Sequence, residues 1–189
     1  PPAPQCPLPT GLPVFPRAVG YGTTTPGGRG GRVIEVTTLA SSGPGSFVEA
    51  LLTKGPRIVV FRVGGVITLE EVAPVTEPFL TVAGQTAPGD GVLVNGAGLA
   101  IFTHDIVIQH VRFRPGTAVL PAASAQDNDA ITILGKTSGQ GADAFNVVLD
   151  HVSLGWSEDE VFSTYFEAHD VTVSWSLIAE GLASPRHNK

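Results

Sequence analysis

The sequence predicts an all-β fold, a right-handed parallel β-helix (solenoid) with a short amino-terminal capping helix. Three observations predict it. First, a phrase recurs: residues 105–113 read DIVIQHVRF, residues 146–154 read NVVLDHVSL, and residues 170–178 read DVTVSWSLI. Each copy opens on Asp or Asn, runs through alternating aliphatics and closes on an apolar residue eight positions later. Second, the spacing suits stacked windings: Asn146 and Asp170 stand 24 residues apart, Ile58 and Leu80 22, and Leu80 and Ile106 26. A period in the twenties, with a strand pattern in every copy, marks a β-solenoid in which each coil covers the next. Third, 23 Gly and 16 Pro among 189 residues call for many turns rather than long helices. A β-sandwich also has short strands, but its turns need not recur with matched residues.

The elements follow in order. Residues 1–16 hold seven prolines and are expected to wrap the surface or stay mobile. Residues 1–19 are therefore set apart from a β-helix domain over 20–189. Residues 21–32 (YGTTTPGGRGGR) are glycine-rich. They lack the Lys-Ser/Thr of a phosphate-binding loop and no periodic helix follows, so a tight structural turn is expected. Residues 33–39 (VIEVTTL) are β-branched and strand-like. Ser46, with Glu49 three residues on and Ala50, Leu51 and Leu52 following, fits a capping box, so a short helix starts at Ser46. One helix ahead of a β chain suits a cap over the open end of a solenoid. Strands are expected at 58–63, 66–69, 79–83, 92–95, 99–102, 105–113, 130–134, 145–154 and 171–178, with a turn at 84–89 (GQTAPG). Between Asp105 and Asn146 the longer interval holds a Pro/Ala/Gly-rich stretch (115–126) and a Gly-rich one (135–141).

Composition narrows the function. No stretch approaches 18 uninterrupted apolar residues, so no membrane-spanning helix is expected. A net charge of −6 argues against nucleic acid as the main partner, since phosphate binding needs a basic face. An acidic protein binds an acidic polymer only with a local cation. Cys6 is the single cysteine, which excludes an internal disulfide framework and a cysteine zinc site. The chain contains no Met and no charged-then-apolar leader, so it reads as a processed or excised product.

Several stretches together resemble the pectate lyase family of polysaccharide lyases. They are GYGTTTPGGRGGRVIEVTTL (20–39), GPGSFVEALL (43–52), PRIVVFRVGGVITL (56–69), TVAGQTAPGDGVLV (81–94), IVIQHVRFRPG (106–116), DNDAITI (127–133), NVVLDHVSLGWSEDE (146–160) and VTVSWSLIAEGL (171–182). The phrases cover almost all of 20–182 in the family's order. The resemblance implies a parallel β-helix that cleaves pectate, a galacturonate polymer, by calcium-dependent β-elimination, and it implies a secreted protein. That reaction removes the proton at C5, beside the uronate carboxylate, and expels the oxygen at C4. A cation on the carboxylate stabilises the charge that develops at C5, and a base must lie within reach of the proton. Calcium suits the task because it takes several oxygen ligands in flexible geometry.

The acidic residues fit that chemistry. Asp127 and Asp129 precede the strand at 130–133, and they share a face if the strand extends back to Asp127. Glu158, Asp159 and Glu160 follow Trp156 one turn later. The resemblance makes Asp127, Asp129, Asp159 and Glu160 the calcium ligands, Asp129 first among them. Solvated turn residues, with Asp127 as an Asx-turn former, are the alternative. Where the family often has a further carboxylate, four residues after Asp159, this chain has Ser163, which predicts weaker calcium binding, or binding only together with substrate. Arg112 and Arg114, which alternate onto one face, and Lys136 are candidates for substrate carboxylates; pairing with neighbouring acids is their alternative. The family's proton-abstracting arginine lies on a later coil, and the resemblance stops near His187 before reaching it. A second class of function stays open: a non-catalytic module that binds acidic polysaccharide, or self-associates through an open last rung.

Other constellations are weaker. Asp150, His151 and Ser153 have the residue types of a hydrolytic triad, but on a strand His151 is expected to face away from its even-numbered neighbours, Asp150 among them. His110 and His151 fall five residues after Asp105 and Asn146 and are read as stacked equivalents inside the β-helix rather than as a metal pair. Trp156 and Trp175 suit a sugar platform, although Trp175 shares the histidines' phase and is expected to pack.

Overall fold

In the computed structural model, which describes residues 11–136, 143–183 and 186, the chain winds as a parallel β-helix. Part of the Pro-rich segment, Cys6, most of the 135–141 glycine stretch and the tail at 187–189 lie outside the described residues. A leading strand β1 (Arg32–Val36) and helix α1 (Phe47–Leu52) are followed by coils of three strands each. The first coil is β2 (Arg57–Phe61), β3 (Gly65–Thr68) and β4 (Ala73–Val75), and the second is β5 (Leu80–Ala83), β6 (Val92–Asn95) and β7 (Leu99–Ile101). The third is β8 (Ile106–Gln109), β9 (Val111–Arg114) and β10 (Ile131–Leu134), and the fourth is β11 (Phe145–Asp150), β12 (Ser153–Leu154) and β13 (Phe162–Tyr165). β14 (His169–Ser174) and β15 (Leu177–Ile178) begin a fifth.

Strands at the same phase pair in parallel. They form a six-stranded sheet β1-β2-β5-β8-β11-β14, a five-stranded sheet β15-β12-β9-β6-β3 and a four-stranded sheet β13-β10-β7-β4. Leu80, Ile106, Val147 and Val171 succeed one another in register, so the inward positions form columns. Those columns make the core: Val59, Phe61, Ile67, Val82, Ile101, Ile108, Phe113, Ile133 and Leu149 are buried. Alternation alone places them, because successive side chains of a strand leave on opposite faces.

The recurring phrase turns out to mark two corners rather than one long strand. Its opening residue, Asp105, Asn146 or Asp170, has φ between 52° and 56°. Asp and Asn tolerate that left-handed conformation, which turns the chain into the six-stranded sheet. Five residues on, His110 (φ 54°), His151 (φ 54°) and Trp175 (φ 50°) turn it out again. The strands expected at 105–113, 145–154 and 171–178 are therefore two strands each, β8/β9, β11/β12 and β14/β15. The outward bend also corrects the placement of these rings. His110 and His151 do stack, with centroids 4.7 Å apart, but on the outside of the coil, and Trp175 is 82% exposed rather than packed.

Two strands escaped the sequence reading. β4 contains Pro74, and among the described residues it pairs with β7 alone; as an edge strand it needs no N–H on its open side. β13 reads FSTY and lacks aliphatic alternation; its pairing to β10 defines it.

Helix α1 caps the first coil. Glu49 N–H donates to the Ser46 hydroxyl at 3.2 Å, the first bond of the expected capping box, but the Glu49 carboxylate accepts from Gly45 N–H at 2.6 Å rather than from the Ser46 N–H, which donates to the Gly43 carbonyl. Phe47, Ala50 and Leu51 are buried, and the Phe47 ring lies 5.6 Å from that of Phe61. Arg57 ties the helix to the coil below. Its buried guanidinium donates to the carbonyls of Ala50, Leu51, Gly55, Glu77 and Pro78, and burial draws its pKa down to about 10. The glycine-rich run lies against the six-stranded sheet. A Cβ on Gly28 would meet the Arg57 carbonyl at 1.8 Å and one on Gly22 the Asp170 carbonyl at 2.4 Å, so close backbone approach explains the glycines. No helix of the described residues is long and apolar enough to cross a membrane.

Candidate functional site

Parallel pairing of β10 with β13, with Thr132 opposite Ser163, lays the segment before β13 over the segment before β10. Asp129 thereby meets residues some thirty positions later. One carboxylate oxygen from each of Asp129, Asp159 and Glu160 lies within 4.8 Å of the others. Asp129 is buried and held on three sides: Glu160 N–H donates to its Oδ1 at 3.0 Å, Ser163 Oγ donates to its Oδ2 at 2.6 Å, and Thr132 Oγ1 donates to the same Oδ2. The residue that stands where the family's further acid would be thus orients the central one.

Charge accumulates here. Burial pushes the Glu160 carboxyl above its ordinary range, the hydroxyl of Tyr165 holds it back by a hydrogen bond, and the charges of Asp129 and Asp159 push it further up. Tyr165 is in turn shifted up, by burial and by its bond to Glu160. A cation among these carboxylates would relieve that repulsion.

Asp127 reaches the same cleft by a different route from the one expected. The strand does not extend back to it. Residues Ala122–Asp127 form a 3-10 turn, and Asn128 between the two acids points inward, donating to the Gly116 carbonyl at 3.0 Å and to Glu158 at 3.4 Å. Asp127 lines the cleft without joining the close cluster. Glu158 faces the other way: it is buried and takes two hydrogen bonds of 2.6 Å from Arg186. The cleft holds about 450 Å³, and Leu134, Phe102 and the exposed ring of Phe166 form its apolar wall. Tyr165 and Phe166 went unnoticed in the sequence because no strand was assigned there.

Several curated proteins are similar to this chain in sequence. A protein named probable pectate lyase C from Emericella nidulans is 41% identical over 180 residues, 95% of this chain and 39% of that protein. One of the same name from Aspergillus flavus is 40% identical over 172 residues, 90% of this chain and 38% of its own length. By sequence the chain is a relative of the pectate lyases. It spans about two-fifths of the length of these curated relatives. No family model matches it. The crystal structure of jun a 1, the major allergen from cedar pollen, shares the fold, with a TM-score of 0.67 at 22% identity over 82% of this chain and 47% of that one.

In this pectate lyase relative the candidate cations are not gathered at the acidic cluster. Arg112 and Arg114 do share the outer face of β9, as alternation required, but that face belongs to the five-stranded sheet. Arg112 donates to the Asp90 carbonyl at 2.7 Å and lines a hollow with Gly65 and Asp90. Arg114 donates to the carbonyls of Phe113 and Ser153 and to the Ser153 hydroxyl, each at 2.7 Å, and lies 5.8 Å from the Trp156 ring centre. Lys136 follows the cleft residue Leu134 by two positions and pairs with Asp143 at 2.6 Å.

Proposed function

We propose that this chain supplies the metal- and substrate-binding face of a pectate lyase, which cleaves polygalacturonate or a related polyuronate by calcium-dependent β-elimination outside the cell. The observation that carries the reading is the convergence of Asp129, Asp159 and Glu160, from two successive coils, in one cleft. The donor set fits calcium: it is all oxygen, it comes from carboxylates, and three ligands leave room for those of a polymer. Asp129, Asp159 and Glu160 would hold the ion with Asp127 at the rim, and the bound ion would act as a Lewis acid on the uronate carboxylate. Ser163 and Thr132 fix the Asp129 carboxylate, and Phe166 and Leu134 offer apolar surface to the sugar ring. Lys136, and along the neighbouring face Arg112 and Arg114, would meet further uronate carboxylates. Residues 20–189 form the domain that bears this face.

Among the described residues no arginine lines the cleft, and this favours a second reading in which the chain binds polyuronate without cutting it. The two are separated by incubating the protein with polygalacturonate and millimolar calcium, and following the ultraviolet absorbance of the unsaturated uronate product. A lyase gives a rise that chelator abolishes. A flat trace together with calcium-dependent retardation in a polygalacturonate gel assigns binding alone. Neither signal refutes both. Sedimentation of the same sample reports any self-association through the last rung, where Leu177 and Ile178 are exposed.

A further inference from the structure

The lyase reading makes no use of the outward corner of the coil. In register, Gly84, His110, His151 and Trp175 succeed one another along the bend that joins the six- and five-stranded sheets, as the pairing of Ala83, Gln109, Asp150 and Ser174 requires. The His110 and His151 rings stack with an interplanar angle of 20°, and Trp175 extends the column at 6.4 Å from His151. Gly84 has no side chain, and beside it the histidines open on a hollow of about 340 Å³ that Asp90 and Arg112 also line. Under the column sits a buried carboxylate. Asp150 Oδ1 accepts from Ser174 Oγ at 2.7 Å, while its Oδ2 accepts from Gln109 Nε2 at 3.1 Å and lies 2.9 Å from His151 Nδ1. An ionised carboxylate only accepts, so Nδ1 carries the proton and His151 Nε2 is the acceptor nitrogen. A carboxylate behind an imidazole in this way is how metal-bound histidines are oriented.

We propose that His110 and His151, positioned by Asp150, bind a transition-metal dication of the zinc, copper or nickel class at this corner. One ligand atom from each of His110, Asp150 and His151 already lies within 4.8 Å of the others. A tetrahedral zinc ion places two imidazole nitrogens about 3.3 Å apart with their in-plane lone pairs converging on it, so the two stacked rings must tilt out of their near-parallel arrangement to share one ion. Both rings are exposed, and the tilt disturbs no core packing. Imidazole suits these softer ions, whereas the all-oxygen cluster at Asp129 suits calcium, so the two sites differ in kind. Asp150 and Asp90 bring two negative charges against the one of Arg112, whose guanidinium is turned to the Asp90 carbonyl. The other histidine column offers no such pair, because the Phe145 ring separates His104 from His169.

The test is calorimetric titration of the protein with Zn2+ in a background of millimolar calcium, with Cu2+ quenching of tryptophan fluorescence as a second readout. His110→Asn and His151→Asn are the informative variants, since Asn keeps the left-handed bend as Asn146 does at φ 53°. One zinc ion is expected per chain, with a micromolar dissociation constant. Each variant should weaken it by about tenfold or more, and Asp129→Asn should leave it unchanged. Cu2+ should quench the wild type, through Trp175, more than it quenches His151→Asn. Equal zinc affinity in the wild type and both histidine variants would overturn the assignment, as would a loss confined to Asp129→Asn or the absence of binding below millimolar zinc.

Discussion

Replacing Ser163 by Asp tests how the acidic cluster is balanced. Ser163 Oγ now donates to Asp129 Oδ2 at 2.6 Å, and the substitution exchanges that donor for a second carboxylate. Two carboxylates about 4 Å apart at an effective dielectric constant of 20 repel by about 4 kcal/mol. That is of the size needed to keep both ionised at neutral pH, so the repulsion appears as lost stability. In a chain of this length 1 kcal/mol moves Tm by about 2–4 °C, which puts the calcium-free variant about 8–16 °C below the wild type. Calcium reverses the sign of the interaction, because the new carboxylate becomes a further ligand. Scanning calorimetry in chelator and in millimolar calcium should show the deficit in the first and its near disappearance in the second. An equal deficit in both would mean that the cluster does not hold calcium, and that Ser163 matters only as a hydrogen-bond donor.

Three further predictions concern the scaffold. Arg57→Ala leaves five carbonyls without their donor and should lower stability by about 3 kcal/mol or more in urea titration; a loss under about 1 kcal/mol would show that water replaces the guanidinium. Gly28→Ala forces a Cβ to within 1.8 Å of the Arg57 carbonyl and should cost about 1–3 kcal/mol, read as a lower Tm; an unchanged Tm would show that the glycine run lies off the sheet. Asp150→Asn should flatten the acid limb of the stability curve. Burial pushes the Asp150 carboxyl up, but hydrogen bonds from Ser174, His151 and Gln109 outweigh it and hold the group below its ordinary 3.8. A carboxyl depressed in the folded state stabilises above the unfolded value and loses that contribution as pH falls through the folded one. The wild type should therefore lose more stability below pH 3.8 than Asp150→Asn does; parallel curves in acid titrations followed by circular dichroism would contradict this.

Much of the architecture was legible because alternation reports which side chains point inward, and the repeat reports that windings stack. What alternation cannot report is where a run of alternating residues bends. Asp105, Asn146 and Asp170 announce their corner by type, since Asp and Asn accept a left-handed backbone. Trp175 adopts the same backbone against the preference of bulky residues, and His110 and His151, which tolerate it, sit inside an unbroken alternating run, so their corner was hidden and they were placed inside. β13 was invisible for another reason: FSTY has no aliphatic rhythm, and its strand exists through pairing to β10. The same pairing carries Asp159 and Glu160 to Asp129; the repeat allowed their meeting, but the choice of these acids over solvated turn residues came from the family resemblance. The arginines show the complementary limit. Positions 112 and 114 do share a face, but which of three faces it is depends on the number of corners already turned, and the undivided 105–113 strand left one out.

Calcium titration of the wild type against Asp129→Asn, by calorimetry, tests the central claim most directly. If carboxylates from two successive windings hold the ion together, the wild type binds calcium and the variant, which keeps an acceptor for Ser163 and Thr132, binds it at least tenfold more weakly. Identical binding curves would show that the cleft is not where calcium sits.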